Sequence, residues 1–193
     1  MSDIKQILNF MVEVEKLKSV LRKTKPVGHF RYENSAEHSW HVSLMALLLK
    51  DHADDEININ RVIKMLLIHD LGEIEAGDTI IYASETTEIK QQESQGIHKL
   101  FALLPAKMEV ELNSLWLEFE AGETNDAKFA KAIDRVPPLL HNIHGEGHSW
   151  KRHNISKEKV FSLNKARIQG ASHTLWEEVE TELNKAVEAG ALS

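Results

Sequence analysis

The sequence predicts an all-α fold, a single-domain helical bundle over residues 1–193. Three observations carry that expectation. Apolar residues recur at three-and-four spacing along most of the chain, the pattern of amphipathic helices. No stretch shows the alternation of a half-buried strand. Cap and breaker residues fall where the periodic stretches end. The first helix is expected over 4–22, with Ile4, Ile7, Leu8, Met11, Val14, Leu17 and Leu21 on one face, before a loop with Pro26 and Gly28. Ser35 is the expected N-cap of the next, "AEHSWHVSLMALLLKDHA", which is apolar on most sides and so central. A third runs from about Ile59 to Leu71 and stops near Gly72. Beyond Gly77, a long and rather polar helix covers 85–104, and Pro105 opens another through "EVELNSLWLEFE". Thr124 or Asn125 caps "DAKFAKAIDRV", which Pro137-Pro138 must kink or end. "HNIHGEGHSWKRHN" reads as a loop, and "LWEEVETELNKAVEAG" as a closing amphipathic helix.

Composition narrows the function. The net charge of -7 argues against broad nucleic-acid binding, which needs a basic face. The apolar run Val42–Leu49 is broken by Ser43 and falls far short of the roughly 18 residues of a membrane span. The N-terminus lacks the features of a secretory signal, and the absence of cysteine excludes disulfides and thiolate metal ligands, so a cytoplasmic protein is expected. Against the acidic background, Lys16, Lys18, Arg22, Lys23, Lys25 and Arg31 form an acid-free basic stretch suited to an anion. Arg22 is the first choice for a phosphate contact and Arg31 the second, because a guanidinium holds two phosphate oxygens at once.

The stretch "LLIHDLGEIEAGD" sets adjacent His69 and Asp70 at the end of an apolar helix. Adjacent helical side chains diverge by about 100° and share one ion only near a helix end, which Gly72 supplies. Glu73 returns to the same side, where a carboxylate can hold or deprotonate a metal-bound water. Alone, such a dyad equally well caps a helix terminus. His38 and Asp134 change the reading. Asp134 interrupts the apolar stripe of Phe129, Ile133 and Val136, a costly position unless Arg135 or a metal pairs with it. Two imidazoles and two carboxylates suit a divalent ion with positions left for water and substrate.

His38, His69-Asp70 and Asp134, in that order, resemble the H…HD…D signature of the HD superfamily of metal-dependent phosphohydrolases. The blocks "EKLKSVLR", "RYENSAEHSW", "KMLLIHDLGEIEAGD", "LWLEFE" and "FAKAIDR", spanning roughly residues 15–150, resemble its 5'-deoxynucleotidase group. The resemblance implies an HD-type, phosphodiesterase-like helical bundle and one divalent metal on His38, His69, Asp70 and Asp134. Manganese or cobalt is the expected ion, with iron, zinc and magnesium as alternatives. It further implies hydrolysis of nucleoside 5'-monophosphates, with Glu73 steering the attacking water, Asp78 as a second catalytic carboxylate, and a homodimer. Two rivals stand beside it: another HD hydrolase acting on phosphodiesters or nucleotide polyphosphates, and a non-catalytic, metal-stabilised nucleotide-binding module. Only His98 lies between Asp70 and Asp134, which favours a single-metal site. His41 is expected in a supporting or core position, and a separate zinc site among His141, His144, His148 and His153 is a minor alternative.

Overall fold

The computed structural model describes residues 2–82 and 86–193; Glu85, where the polar helix was expected to begin, lies outside them. Among the described residues the chain is helical throughout, and its extended pairing is a single isolated bridge, Leu21 with Asn34. Helix α1 (Asp3–Val14) tightens into a 3-10 turn over Glu15–Ser19. Its buried side is not the expected stripe: Phe10 and Leu17 enter the core with Ile7 and Val14 against them, while Ile4, Leu8 and Met11 stay exposed.

Helix α2 (Ser35–Leu49) starts one residue earlier in its cap than expected. Asn34, not Ser35, is the N-cap, in a reciprocal capping box with Glu37. That frees the Ser35 hydroxyl for another partner. The helix is also less central than its composition suggests, since Val42 and Ala46 are buried while Trp40, Leu44, Leu47 and Leu48 are exposed.

Asn58 caps α3 (Ile59–Ile68), whose last turn becomes a 3-10 segment over His69–Gly72 and then the short α4 (Glu73–Ala76). A side chain at Gly72 would meet the backbone oxygen of Glu93 at 2.9 Å, so glycine lets this turn lie against α5 (Thr87–Phe101). Pro105 precedes α6 (Ala106–Ala121), and Thr124 caps α7 (Asn125–Ile143). Pro137 and Pro138 do not end α7. They deprive the carbonyls of Ile133 and Asp134 of amide donors, a cost of about 3 kcal/mol for an interior proline, offset by the burial of Val136 and Pro137 and, beyond the pair, of Leu139 and His141.

The expected loop at 141–154 is also corrected: His141 to Ile143 belong to α7, and His148–Arg152 form the short α8. Then come α9 (Lys157–Gln169) and α10 (His173–Glu188). Two apolar clusters result. Val62, Met65, Leu66, Phe101, Phe129 and Ile133 centre the first; Leu139, Trp150, Val160, Ile168, Trp176 and Leu183 centre the second. Helix α7 runs through both and carries Asp134 between them.

Candidate metal centre and its cavity

His38 from the first turn of α2, His69 and Asp70 from the 3-10 turn, and Asp134 from α7 converge. Nε2 of His38 lies 2.9 Å from Oδ1 of Asp134, and Nε2 of His69 lies 3.0 Å from Oδ1 of Asp70 and 3.4 Å from Oδ1 of Asp134. His38 and Asp70 are looser, at 4.0 Å. Asp134 is therefore paired by the two histidines.

The arrangement fits a divalent ion. Nδ1 of His69 donates to the carbonyl of Leu66 at 2.8 Å, which turns Nε2 inward; that atom is buried and makes no hydrogen bond. Nδ1 of His38 faces Oε2 of Glu33 at 3.4 Å, the backing carboxylate common behind metal-binding imidazoles. Burial opposes charge on His69, yet Asp70 and Asp134 raise its pKa well above the ordinary imidazole value. Burial likewise works against the charge of Asp134, but the hydrogen bond from His38 and the charge of nearby His69 hold its pKa well below the carboxylate range. A proton sits where a cation fits, and a metal binding there displaces it.

Arg22 enters this centre, as the basic stretch anticipates, but it meets carboxylates. Its Nη1 is 2.7 Å from Asp70, 3.8 Å from Glu73 and 3.7 Å from Asp78, and its Nε is 3.5 Å from Glu33. Its side chain is only 10% exposed. Burial and the charge of Asp70 raise the pKa of Glu73 well above its ordinary value, with Arg22 opposing. The Ser35 hydroxyl released from capping donates to Oε2 of Glu73 at 2.6 Å. Burial also raises Asp78, again against Arg22. Arg31 is not brought to the centre: it is exposed and paired with Glu37.

A cavity of about 290 Å³ opens beside these residues, near the lower bound for small-ligand sites. Its lining includes Arg22, Glu73 and Asp78, the cations Lys131, Arg135 and Arg167, and the rings of Trp116 and Phe119. Lys131 sits 4.5 Å from the centre of the Phe119 ring and 3.7 Å from Glu120. Burial, with Arg167 nearby, lowers the pKa of Lys131, and burial with Arg135 lowers that of Arg167. The sequence reading missed this cationic wall as a unit. Lys131 and Arg135 stand four apart around Asp134, a legible signal; Arg167 comes from a distant helix.

Other histidines sort by distance. His41 and His141 join Glu33 in a second buried group, whereas His144, His148 and His153 gather in no ligand cluster among the described residues. No helix of the described residues is long and apolar enough to cross a membrane.

The chain is similar to known proteins over most of its length. An HD domain model matches residues 14–176. Human 5'-deoxynucleotidase HDDC2 is 30% identical over 138 residues, covering 70% of this chain and 66% of its own length, so the match spans just under two thirds of that relative. The 5'-deoxynucleotidase HDDC2 of Dictyostelium discoideum is 30% identical over 162 residues, 80% of this chain and 85% of that protein. The crystal structure of a predicted metal-dependent phosphohydrolase from Magnetospirillum magnetotacticum MS-1 superposes over 100% of both chains, with a TM-score of 0.93 and 43% identity.

Proposed function

The chain belongs to the HD domain family, and from that premise we propose that it is a metal-dependent phosphohydrolase that converts (deoxy)nucleoside 5'-monophosphates to nucleoside and phosphate. The observation that carries the reading is the buried, unbonded Nε2 of His69 among the oxygens of Asp70 and Asp134, at the mouth of a cavity with a cationic wall. His38, His69, Asp70 and Asp134 would hold the ion, manganese or cobalt being our choice for activity. When bound, such an ion lowers the pKa of water and polarises a phosphoryl oxygen.

The chain supplies the rest. Glu73, oriented by Ser35 and with its pKa raised by burial and the charge of Asp70, steers and deprotonates the attacking water. Asp78, which lines the cavity with Glu73, serves as the second carboxylate and hands a proton to the leaving sugar oxygen. Arg22 fixes Asp70 and offsets charge on the phosphate, while Lys131, Arg135 and Arg167 draw the anion into an otherwise acidic protein. Arg31 keeps at most an approach role. We further propose that residues 1–193 act as one domain, in the cytoplasm, as a homodimer. Exposed Ile4, Leu8 and Met11 on α1 and Trp40 and Leu48 on α2 offer apolar surface for it, whereas α10 spends its apolar face on the core.

Phosphate release from a panel of ribo- and deoxyribonucleoside 5'-monophosphates, by stripped protein with Mn, Co, Zn or Mg restored, tests the reading. Metal-dependent release is expected, preferring deoxy substrates, and Asp70→Ala should lower it by more than about 100-fold, beyond the usual loss for a supporting residue. Release from phosphodiesters or polyphosphates alone would favour another HD hydrolase. No release at all from metal-loaded protein would leave a binding role.

A further inference from the structure

The second histidine group takes no part in the proposed hydrolysis. Glu33 stands in the loop before α2, His41 on the second turn of α2 and His141 near the end of α7; a ligand atom from each lies within 4.8 Å of the others. The backbone holds Glu33 firmly: its N–H donates to the carbonyl of Thr24 at 3.0 Å and its carbonyl accepts from Arg22 at 2.8 Å. Its side chain is 2% exposed. Nε2 of His141 faces Oε1 of Glu33 at 3.9 Å, too far for a hydrogen bond. Nδ1 of His141 is 3.2 Å from the hydroxyl of buried Thr24, the kind of partner that fixes a ligating imidazole with its other nitrogen toward an ion. The His41 ring lies 6.2 Å from that of His141, tilted by 32°. Half-buried, His41 forms the rim through which an ion would enter.

The geometry points to a second divalent-metal site, formed by Glu33, His41 and His141, that takes a borderline transition-metal ion such as zinc or cobalt. Ligands held at about 2.1 Å around such an ion lie about 3.4 Å apart, so the three atoms need to close by no more than about 1.4 Å. Two imidazoles and one carboxylate leave a fourth position open and select against calcium and magnesium, which prefer all-oxygen shells. Burial keeps His141 neutral at physiological pH, as a ligand must be. The other carboxylate oxygen of Glu33, Oε2, is buried without a hydrogen bond and faces the first centre, 3.4 Å from His38 and 3.5 Å from Arg22. Glu33 thus stands between two centres, one oxygen toward His141 and the other toward the imidazole that serves the first. The inference does not rest on the phosphohydrolase reading.

Metal stoichiometry decides it. Full-length protein is stripped with chelator, reloaded with zinc or cobalt, desalted and measured by elemental analysis, with circular dichroism as a check on folding. Two equivalents per chain are expected for the parent, one for His141→Ala, one for Asp134→Ala and none for the double variant. Should His141→Ala fail to fold, His41→Ala at the rim takes its place and should also fall to one. A parent that binds a single equivalent, unchanged by either histidine variant, overturns the second site. So does an Asp134→Ala protein that binds none.

Discussion

Two buried histidine groups sit side by side in this molecule, and distance from a carboxylate sets them apart. At His69, Asp70 and Asp134 approach to 3.0 and 3.4 Å, and they raise the imidazole's pKa against its burial. At His141, Glu33 stops at 3.9 Å and the nearest polar partner is a hydroxyl; burial wins, and the pKa falls to about 4. Both rings are more than nine-tenths buried. Burial therefore does not decide the charge of a histidine here; the reach of a counter-charge does. The first group is a set of charges that balance one another; the second holds a His141 that burial keeps neutral.

The most forceful way to break that contrast is to unbalance the first group. Arg22→Met removes the cation from Asp70, Glu73, Asp78 and Glu33 at once. Deleting one partner of a buried ionic cluster costs about 3–5 kcal/mol, and urea unfolding of stripped protein should show a loss of that size. Added manganese should recover part of it by binding the folded state alone. A loss under about 1 kcal/mol would mean that protons, not Arg22, balance the carboxylates.

Acid should act next most strongly, and through the second group. Because the folded pKa of His141 lies below the unfolded value, the unfolded chain binds more protons between about 6.5 and about 4. The stability that His141 contributes is full above that window and is lost as pH falls through it, by up to about 3 kcal/mol. His69 has the opposite sign: its raised pKa stabilises below the unfolded value, and that contribution goes as pH rises through the folded one. Unfolding midpoints of stripped parent and His141→Gln proteins from pH 7 to 4 separate the two. The parent's advantage should shrink steadily with acid; a constant gap would contradict the neutral assignment of His141.

The first group was legible in the sequence and the second was not, for physical reasons. His69 and Asp70 are adjacent, and Asp134 betrays itself as an acid in an apolar stripe, a local anomaly that demands a partner. Glu33 and His141 meet only because α2 packs on α7, and His41 offered no more than its spacing from His38. The helical fold was similarly readable from periodicity and caps. The errors fell where tertiary packing overrode local preference, in α7 continuing past Pro137-Pro138, and where neighbouring cap residues competed, with Asn34 displacing Ser35. Helix α9 shows no stripe because polar Asn164 occupies its buried face beside Val160 and Ile168, its Nδ2 donating to the carbonyl of Val160 at 2.7 Å.

The smallest effect is expected from Arg31, the charge that both groups leave outside. Its guanidinium forks onto Glu37, with Nη2 to Oε2 at 2.8 Å, and its side chain is 54% exposed. Glu37 keeps a second contact without it, since Oε1 accepts the Asn34 amide at 2.7 Å in the capping box of α2. Arg31→Ala therefore removes a solvent-screened ion pair but not the cap, and should leave the urea midpoint nearly unchanged, the more so at high salt. Steady-state kinetics on the preferred monophosphate should change by less than about threefold, the scale of a screened surface pair. A KM raised about tenfold with kcat intact would instead make Arg31 part of the substrate's approach, and would extend the cationic surface from the wall of the cavity to the loop before α2. Unchanged kinetics would confine substrate recognition to Arg22 and the wall made by Lys131, Arg135 and Arg167.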